Sequence, residues 1–130
     1  MKRLLFIPLL LLSIIACKET EFSPEGPTDV RVKNNSDVNM TEVTVNTSGG
    51  TKNFSAVNKG ESSGYLRFDI AFPKAEISAV INGQTFTTGP VDYNGMTYIG
   101  QAKITYVVYI KNMNSRTLEI SEVIPDAPLD

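Results

Sequence analysis

Four carboxylates are the residues with which this chain could support hydrolysis, because it holds no histidine. Without histidine, a Ser-His-Asp triad and histidine-ligated zinc or copper sites are excluded. Two carboxyl groups about 5–9.5 Å apart could cleave a glycoside, and the candidates are Asp69, Glu76, Asp92 and Glu119. Asp69 and Glu119 alternate with apolar residues on expected strands, which is typical of solvated charges. We therefore predict that the protein is not an enzyme.

A longer connection between expected strands holds a second group of candidates, Asp92, Tyr93, Asn94 and Tyr98. As a ligand loop, this group would capture a carbohydrate on its tyrosines, or calcium on the oxygens of Asp92 and Asn94. The alternative is structural: Asp92 caps the turn through backbone amides while Tyr93 packs inward. We favour the structural alternative and expect no metal and no bound cofactor, because calcium would need more carboxylates nearby.

Cys17 is the one cysteine of the chain, and it follows Ile-Ile-Ala at the end of an apolar run. Lys2 and Arg3 precede the run, as in a secretory signal peptide. The run, residues 4–15, is shorter than the roughly 20 residues that a membrane-spanning helix needs. Aliphatic residues, a small residue and then cysteine form the pattern of a lipobox, in which the thiol accepts diacylglycerol and the chain is cut before the cysteine.

The sequence therefore predicts a signal peptide at residues 1–16 and a lipidated Cys17 that carries diacylglycerol and an N-acyl chain such as palmitate. Several acyl chains give stable anchoring, since each buried methylene contributes about 0.8 kcal/mol. We expect a cell-envelope protein anchored to the outer membrane. The sequence does not decide between its periplasmic face and its cell-surface face. Lipidation uses the only thiol, so no disulfide is expected.

Charge and length limit the remaining possibilities. The formal net charge is −2 and the basic residues are scattered, so we expect no nucleic-acid binding. The length suits one domain. The expected organisation is a lipidated cysteine with a flexible tether at 17–27, a β domain at 28–124 and a frayed tail at 125–130.

Apolar residues in the domain recur with the two-residue period of half-buried strands, and no helical pattern appears. Asn82-Gly83 between two alternating runs predicts a hairpin, and apolar residues on both faces of 103–110 predict a central strand. The clearest core strand is expected over Leu66 to Phe72. Further strands are expected around Val30 and Val32, over Met40 to Asn46, around Phe54 and Val57, and over Thr117 to Val123.

Seven or eight such strands predict an all-β fold, a single antiparallel β-sandwich with immunoglobulin-like or transthyretin-like topology. A small β-barrel is the alternative. The period does not determine the order of the strands in the sheet.

Several segments in this order resemble a group of small, uncharacterised Bacteroidetes lipoproteins of about this length, over nearly the whole mature chain. They are residues 30–36 (VRVKNNS), 81–83 (ING), 90–95 (PVDYNG) and Thr105-Tyr106, while residues 100–104 fit the group only in part. The resemblance implies a lipid-anchored β domain and supplies no catalytic residue. The expected role is a non-catalytic binding or assembly module with a protein or glycan partner; a small carbohydrate-capturing module at the cell surface is the alternative.

Overall fold

The computed structural model describes residues 22–129, so Cys17 and its lipobox lie outside the described part of the chain. Eight strands and no α-helix form there, which confirms the predicted all-β domain. The described residues contain no helix with the length and apolarity to cross a membrane. The strands are β1 (Thr28–Asn34), β2 (Thr41–Asn46), β3 (Thr51–Asn53), β4 (Leu66–Phe68), β5 (Glu76–Ile81), β6 (Gln84–Thr87), β7 (Ala102–Asn112) and β8 (Thr117–Pro128).

The eight strands belong to one sheet in the order β3-β2-β5-β6-β8-β7-β1-β4. Two four-stranded halves are joined at its centre by a single residue pair, Thr87 with Thr117, between the parallel strands β6 and β8. The outer edges approach each other, since the rings of Phe54 and Phe68 stack with centroids 6.3 Å apart. The sheet is therefore nearly closed, which is closer to the small-barrel alternative than to two separate sheets.

The segment between β3 and β4 brings the two edges together. Residues 54–57 remain hydrogen-bonded to residues 40–43, beside β2, and residues 60–63 bond to residues 32–34 of β1. One stretch of chain thus lines one edge and then the other, which is why the sheet closes on this side.

The core lies inside the curled sheet and explains the alternation in the sequence. Side chains that point inward are buried, and those between them face solvent, because successive strand residues point to opposite faces. Residues 104–108 of β7 are all buried, as expected of a strand with neighbours on both sides, here β8 and β1. The largest fully buried side chains include Tyr106, Phe68, Phe86, Met40, Ile77, Ile81, Ile104 and Leu118.

The hairpin predicted at Asn82-Gly83 is confirmed. β5 and β6 pair antiparallel up to Ile81 opposite Gln84, and the two residues between them have φ angles of 51° and 76°. A two-residue turn of type I′ requires positive φ at both positions, which glycine and asparagine adopt at low cost.

The strand expected over Leu66 to Phe72 is wrong in its second half, because β4 ends at Phe68. Beyond it, Ala71 is buried and Ile70 is only partly covered, which reverses the expected alternation. The hydroxyl of Thr47 donates a hydrogen bond of 2.7 Å to the carbonyl of Ile70. Because a loop uses this backbone group, the chain leaves the sheet there.

The frayed tail expected at 125–130 is also corrected, since β8 continues to Pro128, which lies opposite Ala102 of β7. Asp126 helps to hold this end. Its Oδ2 atom accepts a hydrogen bond of 2.6 Å from the hydroxyl of Thr105, which is 1% exposed. The side-chain bond adds to the backbone ladder, so the strand extends past the predicted end.

The described part of the predicted flexible tether, residues 22–27, packs against the domain. Gly26 is buried, and a Cβ atom there would lie 2.1 Å from the carbonyl oxygen of Asp69. The side-chain amide of Gln101 donates hydrogen bonds to the carbonyls of Phe22 and Ser23, at 3.1 and 2.8 Å. These contacts place the start of the packed chain several residues before the predicted boundary at residue 28.

Candidate functional site

A groove opens where β6 and β8 separate. The amide of Thr87 donates a hydrogen bond of 3.1 Å to the carbonyl of Arg116, and the two strands have one residue pair there. After that point the chain follows β5, because the amide of Thr88 bonds to the carbonyl of Ile77 at 2.9 Å. β6 ends there, while β8 continues beside β7, so β8 and the chain that follows β6 diverge and leave a space between them.

This groove, which we call the β8 groove, has a volume of about 490 Å³. That lies within the range of ligand pockets in proteins. Residues 117–123 of β8 form one wall, and residues of the segments 73–75 and 88–96 form the other. Its apolar part is supplied by Leu118, which is buried, and by partly covered side chains at Val91, Met96, Ile120 and Val123.

The wall formed by residues 88–96 is fixed from behind by Tyr93. Its hydroxyl donates a hydrogen bond of 3.0 Å to the carbonyl of Asn46, and its ring lies 5.0 Å from that of Phe72. Burial raises the pKa of the Tyr93 hydroxyl above its ordinary value. The amide of Met96 bonds back to the Tyr93 carbonyl at 3.0 Å. The loop is therefore anchored to β2, in the half of the sheet that contains β6.

Charges at one end of the β8 groove are already compensated. The Lys111 ammonium lies 3.4 Å from Oε1 of Glu119, and the Tyr109 hydroxyl donates a short hydrogen bond to Oε2. The hydrogen bond from Tyr109, followed by the contact with Lys111, lowers the pKa of the Glu119 carboxyl. The charge of Lys74 acts in the same direction. Glu119 is thus held in its ionised form.

Of the four residues proposed as a ligand loop, Asp92, Tyr93 and Asn94 make hydrogen bonds that hold the loop in place. Oδ1 of Asp92 accepts a hydrogen bond of 3.0 Å from the amide of Asn94, which is a turn-capping contact, and Tyr93 packs inward. Asp92 also lines the β8 groove. Tyr98 is 42% exposed and is not among the residues that line it. The favoured structural alternative therefore describes Asp92 and Tyr93 better than a shared ligand site does.

Two of the four candidate carboxylates, Asp92 and Glu119, line the β8 groove. A general acid needs a carboxyl that retains its proton near neutral pH, whereas the contacts of Glu119 favour its ionised form. Asp69 is exposed beside the loops that follow β4, and Glu76 begins β5. In the part of the chain that the structure describes, no three acidic side chains form a group suited to a metal ion.

Apart from Asp92 and Glu119, the residues of the β8 groove were not identified from the sequence, although the strand over Thr117 to Val123 was. The period of a strand shows which side chains point inward, but not which of its two edges is hydrogen-bonded. That depends on the neighbouring strand, which here is distant in sequence. For the same reason, no local signal places Val91 and Met96 opposite β8.

Comparisons with known proteins support the fold alone. No family model matches the chain, and no curated protein does. Among solved structures, the chain is similar to one described as the NMR structure of the protein from Eubacterium rectale. The TM-score is 0.50 at 13% sequence identity, over 80% of this chain and 96% of that chain. At that identity the similarity carries no information on activity.

Proposed function

We propose that this protein is a lipid-anchored, non-catalytic binding or assembly module of the bacterial cell envelope, and that the β8 groove is its contact surface. The observation that carries the proposal is an edge of β8 that, within residues 22–129, pairs with β6 only at Thr117. An unpaired strand edge presents backbone donors and acceptors that a partner can use.

The anchor rests on the sequence pattern around Cys17, outside the described residues. Lipid on this residue would hold the protein at the outer membrane, and the packing of residues 22–27 against the domain would leave a short connection between lipid and sheet. The module would then act close to the membrane surface. This arrangement suits a component that assembles with another envelope protein.

A binding role is supported over hydrolysis by the state of the groove carboxylates. Glu119 is engaged by Tyr109 and Lys111, and Asp92 caps its own loop. The contacts of Glu119 lower the pKa of its carboxyl, which is the opposite of what a proton donor needs. Their arrangement favours a fixed, charged surface.

Photo-crosslinking in intact cells tests the contact surface. A photoreactive amino acid replaces Ser121, which is exposed in the groove, or in a matched variant Lys59, which is exposed on the turn between β3 and β4. We expect a reproducible adduct from position 121 and none of the same mass from position 59. Equal adducts from both positions, or none from position 121, would contradict the proposal.

The lipid anchor has its own test. Cells fed an alkyne analogue of palmitate should label the wild-type protein, and Cys17→Ser should abolish the label and release the protein from the membrane fraction. Labelling that persists in Cys17→Ser would show that the lipid is attached to another residue and would contradict the proposed anchor.

Carbohydrate capture is the alternative function, and the exposure of Tyr98 favours it. Tyr93 does not offer a free stacking face, because its ring contacts Phe72 and its hydroxyl binds Asn46. A glycan array on the wild-type protein and on Tyr98→Ala discriminates. Binding that disappears in Tyr98→Ala would favour the carbohydrate module, and binding that survives would exclude Tyr98 as the site.

A further inference from the structure

The β8 groove has the geometry of a sheet from which one strand is missing. β6 ends where it pairs with the start of β8, and beyond that point β8 faces the segments 73–75 and 88–96 across the groove. In a closed barrel every strand edge is paired, whereas here residues 118–123 pair on the β7 side alone. A strand added at this position would pair with the free edge of β8.

The side chains of the groove suit an extended peptide. A strand has alternate side chains on opposite faces, so every second residue of an added strand would point to the apolar floor. Leu118, Ile120 and Val123 line that floor from β8, and Val91 and Met96 line it from the opposite wall. The residues between them would point outward, beside the outward side chains of β8.

Charge determines what kind of strand fits. Glu119 is compensated by Lys111, and Lys74 acts on the same carboxyl. Glu122 is exposed, faces outward opposite Val107, and has no ion pair within the described residues. Asp92 on the opposite wall likewise forms no ion pair within the described residues. A basic side chain on the incoming strand would therefore gain a cross-strand ion pair.

The same charges oppose a second copy of this chain as the occupant. The free edge, residues 118–123, carries Glu119 and Glu122 and no lysine or arginine. If two such edges paired about a two-fold axis, neither copy would bring a lysine or arginine of its edge to the uncompensated Glu122 of the other, and like charges on adjacent strands destabilise a sheet.

We propose that the β8 groove binds an extended peptide segment of another protein as an added strand, with apolar residues at alternate positions and a lysine or arginine beside Glu122. This inference rests on the proposed function and specifies its partner. Strand addition of this type takes its affinity from main-chain hydrogen bonds and its specificity from side-chain contacts.

A pair of synthetic peptides tests how a strand binds to the full-length lipoprotein in detergent micelles. The probe is a fluorescent seven-residue peptide that alternates valine with lysine or threonine, and its matched control carries N-methyl groups on the amides of one edge. We expect saturable binding of the first peptide and binding at least about tenfold weaker for the second. Equal affinities would overturn the inference, because an added strand depends on the amide donors that N-methylation removes.

A charge-reversal pair tests the specificity. Glu122→Lys should weaken the lysine-containing peptide by about tenfold, since it exchanges an attraction for a repulsion. Glu61→Lys makes the same change of charge on an exposed residue outside the groove and should change the affinity by less than about twofold. An equal loss of affinity in both variants would show that the peptide does not need a basic residue beside Glu122, and the stated partner would then be wrong.

The outcomes separate this inference from the proposed function. If position 121 yields a crosslinked partner in cells while neither peptide binds, strand addition is wrong and the binding module stands. If the adduct at position 121 is a second copy of the chain, a self-paired edge replaces the peptide. If neither adduct nor peptide binding is found, both proposals fail.

Discussion

The Tyr65 hydroxyl donates a hydrogen bond of 2.8 Å to Oδ2 of Asp126, so the segment before β4 is joined to the end of β8. The same oxygen accepts from Thr105, and Arg31 lies 3.7 Å from Oδ1. Burial, together with the bond to Asp126, raises the pKa of Tyr65. The Tyr65 ring also lies 5.1 Å from the guanidinium of Arg31 and 5.5 Å from the ammonium of Lys103. One carboxylate therefore links three strands and a loop.

The Asp126→Ala variant tests this junction. We expect it to lower the free energy of unfolding by about 1–3 kcal/mol, because the buried hydroxyl of Thr105 would lose its acceptor. Urea denaturation measures the loss. Asp37→Ala removes an exposed carboxylate from a turn and should change stability by no more than about 0.5 kcal/mol. Equal losses in the two variants would show that the junction contributes nothing specific.

Asn34 provides a second test of the fold, because its side chain is buried and fully bonded. Its amide nitrogen donates to the carbonyls of Val38 and Val57 at 2.8 and 2.9 Å, and its oxygen accepts from Ser36. Asn34→Asp would remove the donor of both these hydrogen bonds and bury a charge, at a cost of about 3 kcal/mol or more.

The neighbouring residue supplies the control for that substitution. Asn35→Asp makes the same chemical change at an exposed position, and we expect its midpoint in urea to match the wild type. If Asn34→Asp lowers the urea midpoint no more than Asn35→Asp does, the buried amide of Asn34 does not contribute to stability.

Truncation of the two tyrosines in the long loop should reduce stability by different amounts. Tyr93→Ala removes the contact with Phe72 and the bond to Asn46, so we expect a loss of about 2–4 kcal/mol in thermal or urea unfolding. Tyr98→Ala shortens an exposed side chain and should cost less than about 1 kcal/mol. The reverse order would contradict the anchoring of the groove wall by Tyr93.

Alkaline pH should destabilise the fold through Tyr106. Burial raises the pKa of its hydroxyl above the ordinary value of 10.0. Below pH 10 both folded and unfolded chains keep this proton, and above pH 10 only the unfolded chain releases it readily, so stability falls as the pH rises. The contribution is about 1.4 kcal/mol per pH unit above 10 until the folded state also ionises.

Tyr106→Phe isolates that contribution. At pH 7 the variant loses the hydrogen bond of 2.5 Å to the carbonyl of Phe72, at a cost of about 1 kcal/mol. Between pH 10 and about 11.5 its stability should fall less steeply than that of the wild type. Parallel pH curves would exclude Tyr106 as the source of the alkaline loss.

The parts of the fold that were predicted from the sequence are those with local causes. The turn at Asn82-Gly83 follows from the φ angles that these residues adopt, and the core position of Val30 and Val32 follows from alternation. The strand over Leu66 to Phe72 had the same alternation and ended early. Its second half is displaced by Thr47, a residue far away in sequence that binds the Ile70 carbonyl.

The sequence by itself determined the all-β class, the hairpin, the centrality of β7 and the exclusion of histidine chemistry, and it carries the prediction of lipid at Cys17. These follow from residue type, periodicity and local backbone preference. Only the tertiary structure decided that one sheet nearly closes, that β8 reaches Pro128, and that its edge lies open beside residues 88–96. Strand pairing joins residues that are distant along the chain, and the local pattern of a strand does not specify its neighbours.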